Sequence, residues 1–304
     1  SAAMVLNIDS LNLLKKFAEG MEVAVVSGFQ GLGPDGRITT LGRGGSDTSA
    51  VALAAAFNAE RCDIFTDVDG VYTTDPRVCN KARKLDKISY EEMLELASLG
   101  AKVLQTRSVE LATRYKVRLR VMSSFIKEFD EKKGTLVCSE GEIVENKVIA
   151  GVAFSRDEAK LTVTGIEDRP GIAASIFGKL ADQSVNVDMI VQNVSENGLT
   201  DMTFSCPVDQ VARAKEALKK DAKKNILKYR QLLIDEEIAK VSIVGIGMKT
   251  HSGIAKMMFE SLAKESINII VISTSEIKIS VLISRKYLEL AVQTLHDTFE
   301  LEKV

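Results

Sequence analysis

Residues 159–207 and 239–284 are two versions of one pattern, and this duplication restricts the fold more than any other feature of the chain. Each copy begins with Ala-Lys and an apolar strand, passes Gly-Ile and a short loop, and enters a helix at Gly-Ile-Ala, Gly171–Ala173 in one and Gly253–Ala255 in the other. Each goes on through Val-Asn or Ile-Asn to two strands separated by a turn, and a further helix follows at 208–219 and 285–299. Copies starting 80 residues apart mark duplicated supersecondary units. The order is that of a ferredoxin-like β-α-β-β-α unit. Two copies are too few for a solenoid. A packed pair is expected, because each small unit alone leaves a sheet edge or face uncovered.

The chain upstream has a different texture. Residues 10–19 read as a helix, with Leu11, Leu14 and Phe17 on one face. Met21–Phe29 is nearly continuous apolar sequence, the pattern of a strand buried on both faces of a parallel sheet. After a glycine-rich loop at 28–36 and TTLGRGGSD at 39–47, a helix is predicted over 48–59 and a buried strand over 62–68. Helices follow over 89–99, with Ser89 as cap and Glu91 and Glu92 at its positive end, and over 103–115, then a strand over 117–124. Alternation of strand, glycine loop and helix gives an α/β class, with ligands expected at the strand-end loops. The division expected is an α/β body over 1–130, a charged junction over 131–147, and units over 148–238 and 239–304 that can exchange strands. A length of 304 residues fits two or three domains.

Composition removes several function classes. Lys and Arg number 40 against 42 Asp and Glu, so no basic excess points to a nucleic-acid partner. No apolar run approaches the ~20 residues of a membrane helix. The four cysteines, at 62, 79, 138 and 206, form no CxxC, and His251 and His296 do not complete a zinc spacing. No metal site is expected, and scattered reduced thiols suit a cytoplasmic protein. The opening Ser-Ala-Ala-Met lacks the pattern of a secretory signal and reads as a scar or part of a fragment.

Two loops carry the chemistry. LGRGGSD at 41–47 is neither a Walker A loop nor GxGxxG. Its glycines let the backbone approach a ligand, Ser46 and Asp47 fall where a helix begins, and Arg43 suits a carboxylate or phosphate. An ordinary glycine turn with a Ser/Asp cap fits the same residues. TDVDGVYTTDPR at 66–77 follows a buried strand and offers Asp67, Asp69 and Asp75 to hydroxyls or a metal-bound phosphate, Arg77 to phosphate charge and Tyr72 to a base. A polar loop of Asx turns is the plainer alternative, and the EF-hand is excluded because its flanking helix and terminal Glu are missing. Lys102 at a helix start suits an anion. His251 reads as a loop or effector-site residue and His296 as half-buried packing.

GFQG at 28–31, TTLGRGGSDTSAVALAAAFNA at 39–59, TDVDGVYTTDPR at 66–77, EEMLELASLGAKVLQTRSVELA at 91–112 and ISTSEIKISVLI at 272–283 resemble the aspartate kinases of the amino-acid kinase superfamily. The tandem C-terminal units resemble that family's paired ACT regulatory units. The resemblance implies the C-terminal part of a carbamate-kinase-like amino-acid kinase domain, followed by two ferredoxin-like ACT domains. It implies transfer of phosphate from ATP, accompanied by Mg²⁺, to the side-chain carboxylate of L-aspartate, on the route to lysine, threonine and methionine. Arg43, Gly44, Gly45, Ser46 and Asp47 would form the aspartate loop, with Arg43 on the substrate carboxylate. Thr66, Asp67, Tyr72 and Arg77 would touch nucleotide, with Asp69 and Asp75 in the same loop, and Lys102 would touch phosphate. The family's K-x-G-G-x-S segment has no counterpart here, so this chain alone is expected to have little or no kinase activity.

For the regulatory half, the resemblance implies L-lysine and/or L-threonine bound between ACT units of neighbouring subunits. The matching positions are Asp168, Gly171, Asp188, Gln192 and Asn193 in the first unit and Asn268 and Ile269 in the second. A homo-oligomer follows, at least a dimer through the ACT units and up to a tetramer. A regulatory amino-acid-binding fragment without catalysis is the alternative. Kinases of glutamate, carbamate or uridylate fit the motifs less well.

Overall fold

The computed structural model describes residue 5 and residues 7–303, except 100–102, 128–129, 131–132, 144–147, 195–197 and 224–226. The upstream part contains α1 (Leu11–Ala18), a hairpin of β1 (Gln30–Leu32) and β2 (Ile38–Thr40), and α2 (Gly45–Ala56). It continues with β3 (Cys62–Thr66), β4 (Lys87–Ser89), α3 (Tyr90–Ser98), α4 (Thr106–Tyr115), β5 (Leu119–Ser123) and β6 (Thr135–Cys138). Strands β3, β5, β6 and β4 form a four-stranded sheet in that order. Pairs β3–β5 and β4–β6 are parallel, and β5–β6 is antiparallel. Val51, Ile64, Ile88, Met93, Leu119 and Val137 pack into its core. Strand β6 arises inside the charged stretch read as a junction, because Thr135, Val137 and Cys138 are buried there.

The expected strand over Met21–Phe29 is corrected: none of these residues is in a strand. Val23 and Val25 are 77% and 98% exposed. Apolar composition supplies a tendency to be buried, but a parallel strand also needs neighbours for its N–H and C=O groups. Among the described residues no strand offers them. Helix α1 forms where predicted, yet buries no residue.

Downstream, β7 (Gly151–Glu167), α5 (Ile172–Asp182), β8 (Asp188–Val194), β9 (Leu199–Pro207) and α6 (Val211–Lys223) make the first repeat. Strand β10 (Gln231–Val244), α7 (Ile254–Lys264), β11 (Ile269–Thr274), β12 (Lys278–Ser284) and α8 (Leu288–Thr298) make the second. All six strands join one sheet, ordered β11-β12-β10-β7-β9-β8. Its two long central strands serve both repeats. Gln231–Asp235 of β10 pairs with Thr164–Lys160 of β7, while Lys240–Val244 pairs with Ser155–Gly151, across a register shift between the two. Each repeat therefore takes its fourth strand from a long strand of the other. The helices bury one stripe each: Ile172, Ile176 and Leu180 of α5 pack with Leu161, Met202 and Phe204. Likewise Leu288, Val292 and Leu295 of α8 pack with Val241, Val281 and Ile283.

The repeat signature has a conformational basis. Gly171 (φ +87°) and Gly253 (φ +92°) are the N-caps of α5 and α7, both left-handed. That turn re-aims the chain from loop into helix, and glycine adopts it without steric penalty.

Candidate functional site

The LGRGGSD loop folds onto the start of α4. Gly44 precedes α2 with φ +70°, and its carbonyl accepts from Thr48 N–H at 3.1 Å and Thr48 Oγ1 at 3.0 Å. Helix α2 thus starts three residues earlier than the predicted 48, with Ser46 and Asp47 in its first turn instead of at the cap. Leu41 is buried, its N–H donates to Phe29 carbonyl at 2.9 Å, and its carbonyl accepts from Arg107 Nη1 at 3.3 Å. Burial pushes the Asp47 carboxyl above its ordinary range, and the Gln105 backbone N–H offsets this only in part. Arg43 and Ser46 are exposed beside it. A cation and a hydroxyl at a helix N-terminus are what an anionic carboxylate needs.

The second loop is built at the C-terminal end of β3. Val71 N–H donates to Thr135 Oγ1 at 2.8 Å, and that hydroxyl donates to Leu85 carbonyl at 2.6 Å. One buried side chain of β6 thereby closes the base of the loop. Thr135→Val would leave both backbone groups unpaired, and we expect a loss of about 2 kcal/mol, with most of it restored in Thr135→Ser. Urea unfolding checks this; a Val variant as stable as the parent would rule out the role.

Within the loop, the polar side chains engage one another. Tyr72 hydroxyl donates to Asp69 Oδ1 at 3.0 Å, and Lys84 Nζ lies 3.2 Å from Asp69 Oδ2. Burial raises the Asp69 carboxyl, but the Tyr72 and Lys84 bonds outweigh it and leave it below the ordinary range. Arg77 grips Asp75 at 2.7 Å, and this bond holds the Asp75 carboxyl low against the effect of burial. Thr66 Oγ1 donates to the exposed Asp67 at 3.1 Å. Arg77 is 88% exposed, so phosphate can reach its guanidinium only by competing with Asp75. Among the described residues no hydrogen bond or ion pair joins this loop to 41–47, and no three His, Cys, Asp or Glu side chains gather as a metal cage. Lys102 lies outside the described residues.

Of the predicted effector residues, Asp188, Gln192, Asn193 and Ile269 lie on the two outer strands of the long sheet, Asn268 just before one of them, and Asp168 and Gly171 between β7 and α5. Asp168 precedes α5 and its N–H donates to Gly198 carbonyl at 2.9 Å. Gln192 and Asn193 are exposed on β8, and Asn268 is exposed just before Ile269 opens β11. Met189 of β8 and Val271 of β11 share one cluster with Ile238 and Leu282, so the two outer strands meet despite standing at opposite ends of the order. Asp188 is already engaged: Lys240 Nζ lies 2.7 Å from its Oδ2 and 2.9 Å from Glu158 Oε1. His251 lines a cavity of about 500 Å³ with Met248, Gly253, Ser275 and Glu276.

Sequence reasoning missed Lys240, Glu158 and Thr135, and it placed Glu92 only at the positive end of α3. Glu92 completes the capping box of α3 with Ser89 and also accepts from Ile246 N–H of the second repeat at 3.0 Å. The signal for Lys240 was visible, a charged residue opening an apolar strand in both copies of Ala-Lys. His296, read as half-buried, is fully buried and bonds Thr73 at 2.9 Å.

Residues 1–123 match the amino acid kinase family, and residues 161–223 and 241–299 each match the ACT domain. The chain is 54% identical over 301 residues to the aspartate kinase of Pseudomonas putida, covering 99% of this chain and 72% of that protein. It is 52% identical over 309 residues to the aspartokinase of Helicobacter pylori, covering 99% and 73%. Among solved structures, that of E. coli aspartokinase III in complex with aspartate and ADP aligns with TM-score 0.76 and 32% identity, over 96% of this chain and 63% of that one. Clostridium acetobutylicum aspartate kinase aligns with TM-score 0.78 and 25% identity, over 90% and 62%. The chain thus spans less than two thirds of these structures. No described helix is long and apolar enough to cross a membrane.

Proposed function

The chain belongs to the aspartate kinase family, whose members phosphorylate the side-chain carboxylate of L-aspartate with ATP under feedback control by ACT domains, and from that premise we propose how its residues divide the work. The 41–47 loop holds L-aspartate: Arg43 takes a carboxylate, Gly44 and Gly45 bring the backbone close, and Ser46 and Asp47 orient the substrate at the start of α2. The 66–77 loop receives ATP, with Tyr72 against the base and Arg77 exchanging Asp75 for phosphate; Thr66, Asp67, Asp69 and Lys102 complete the contacts. Mg²⁺ enters on the nucleotide. Because phosphoryl transfer needs positioning and charge neutralisation above all, an Arg and a helix N-terminus are apt groups for it.

Residues 148–238 and 239–304 form the regulatory pair, after a kinase part over 1–130 and a junction over 131–147. Asp168, Gly171, Asp188, Gln192 and Asn193, with Asn268 and Ile269, take L-lysine or L-threonine. The outer strands β8 and β11 support assembly of at least a dimer, since among the described residues neither pairs with a further strand. The observation that carries the reading is the identity of more than half the residues to an aspartate kinase over nearly the whole chain.

Isothermal titration calorimetry tests it. The chain is titrated with MgADP and L-aspartate, and with L-lysine and L-threonine singly and together. Saturable effector binding should weaken at least ~tenfold in Asp168→Ala and in Gln192→Ala, the loss of one charge-assisted or polar contact. Effector binding without nucleotide or aspartate binding would turn the reading toward a purely regulatory module. Binding of none of the four by a folded sample would defeat it.

A further inference from the structure

Helix α8 also packs against the upstream part of the chain, along the border of the face it buries in its own repeat. Gln293, His296 and Asp297 stand three and four positions apart, on one side of the helix. All three reach the segment between β3 and β4. Gln293 Nε2 donates to Val78 carbonyl at 2.8 Å, and Asp297 Oδ1 accepts from Lys81 Nζ at 2.8 Å. Between them, His296 Nε2 lies 2.9 Å from Thr73 Oγ1, with both residues buried.

Thr73 is the hinge of the nucleotide loop. It follows Tyr72 directly and precedes the Asp75–Arg77 pair by two residues. Its hydroxyl also accepts from Arg83 N–H at 3.0 Å, and its N–H donates to Arg83 carbonyl at 2.8 Å. Its carbonyl accepts from Val152 N–H of β7 at 2.7 Å. The start of β7, which pairs with the second repeat's part of β10, and α8 therefore both hold this one residue. On a face shared with Leu288, Val292 and Leu295, an imidazole is an expensive filler unless its polar atoms are used. A leucine would pack there as well but would lack the hydrogen bond to Thr73.

The geometry points to His296 as a positioning residue for the nucleotide loop, acting through Thr73 to set Tyr72 and Asp75–Arg77 and tying their arrangement to the seating of α8. This rests on the nucleotide reading above. It makes coupling reciprocal: an effector that shifts α8 loosens the loop, and nucleotide on the loop strengthens the docking of α8.

The test uses the whole chain with His296→Leu, which keeps volume, His296→Gln, which keeps a polar partner, Thr73→Val and the conservative Thr73→Ser. Two quantities are read, amide hydrogen exchange over residues 71–78 and the Kd for MgADP. Loss of the His296–Thr73 hydrogen bond predicts about tenfold faster exchange and about tenfold weaker MgADP binding in His296→Leu, and a larger change of the same sign in Thr73→Val, which also loses the bond from Arg83 N–H. The Gln and Ser variants should recover most of both, and the Leu/Val double variant should be no worse than Thr73→Val alone. Equal defects in the Leu and Gln variants, additive single effects, or unchanged exchange in His296→Leu would each overturn the proposal. If the parent chain binds no MgADP, the nucleotide reading falls, and the exchange data still decide whether His296 positions the loop.

Discussion

Lys240→Ala should destabilise the regulatory half by about 3 kcal/mol, the low end of what is lost when one partner of a buried ion pair is removed. Lys240 is 5% exposed in β10, and its ammonium lies between Glu158 and Asp188. Glu158 is 7% exposed, and its Oε2 has no hydrogen-bond partner among the described residues even with the lysine present. Taking Lys240 away leaves that carboxylate buried without a counter-charge. The Asp188 side chain is 53% exposed and can turn to water, which is why the low end applies. Replacing both buried partners, Lys240→Met with Glu158→Gln, should recover most of the loss, because the desolvated charges disappear together. Urea unfolding gives the comparison, and a Lys240→Ala variant within 1 kcal/mol of the parent would show the pair to be neutral (a paired variant is expected to lose about 3).

The pH dependence has a definite sign. Burial pushes the Lys240 ammonium down, but Glu158 and Asp188 outweigh it and raise it above its ordinary value. Its contribution is therefore full below the unfolded value of ~10.4 and is lost as pH rises through the raised one. Burial pushes Asp188 up, and Lys240 with the Met189 N–H outweighs that, leaving it below its ordinary value. Its contribution is full above ~3.9 and is lost as pH falls through the depressed value. In the parent, the contribution of this pair should be flat between about pH 5 and 9 and shrink only outside that window.

Local chemistry was legible where neighbours in the chain decide the structure. Ser89 and Glu92 are three residues apart, and they form the capping box that opens α3. Gly171 and Gly253 announced two helix starts, and both are left-handed caps. Legibility ended where a distant partner decides. The apolar run 21–29 reads as a strand by composition, yet no described strand pairs with it. Thr135 looks like an ordinary strand residue until Val71 and Leu85 reach it across 64 and 50 positions. Of the candidate site, sequence placed 41–47 at a helix start but not against Gln105. It assembled 66–77 without showing that Asp75 already holds Arg77.

Gly44→Ala should do the greatest damage to the loop over 41–47. At φ +70° any side chain is strained, by roughly 1–2 kcal/mol. A Cβ there would also stand 1.9 Å from Gln105 Cγ and 2.7 Å from its Cβ and Cδ. Gln105 cannot yield by moving a flexible tip, since the contact reaches its Cβ. It caps α4, its carbonyl accepts from Ser108 N–H at 2.9 Å, and its own N–H serves Asp47. Relief must come from separating the loop from α4, which carries Arg43, Ser46 and Asp47 out of register. We expect a stability loss of ~3 kcal/mol and L-aspartate binding at least ~100-fold weaker, since displaced groups lose their contacts together. Gly36→Ala supplies the comparison: its φ is +72° and nothing lies within 4 Å of the added Cβ, so it bears the backbone strain alone. If the two variants prove equally stable and aspartate binding is untouched, close approach of Gly44 to Gln105 is not what shapes the loop. If Gly44→Ala alone collapses binding, the glycine is there because the start of α4 leaves no room for a side chain.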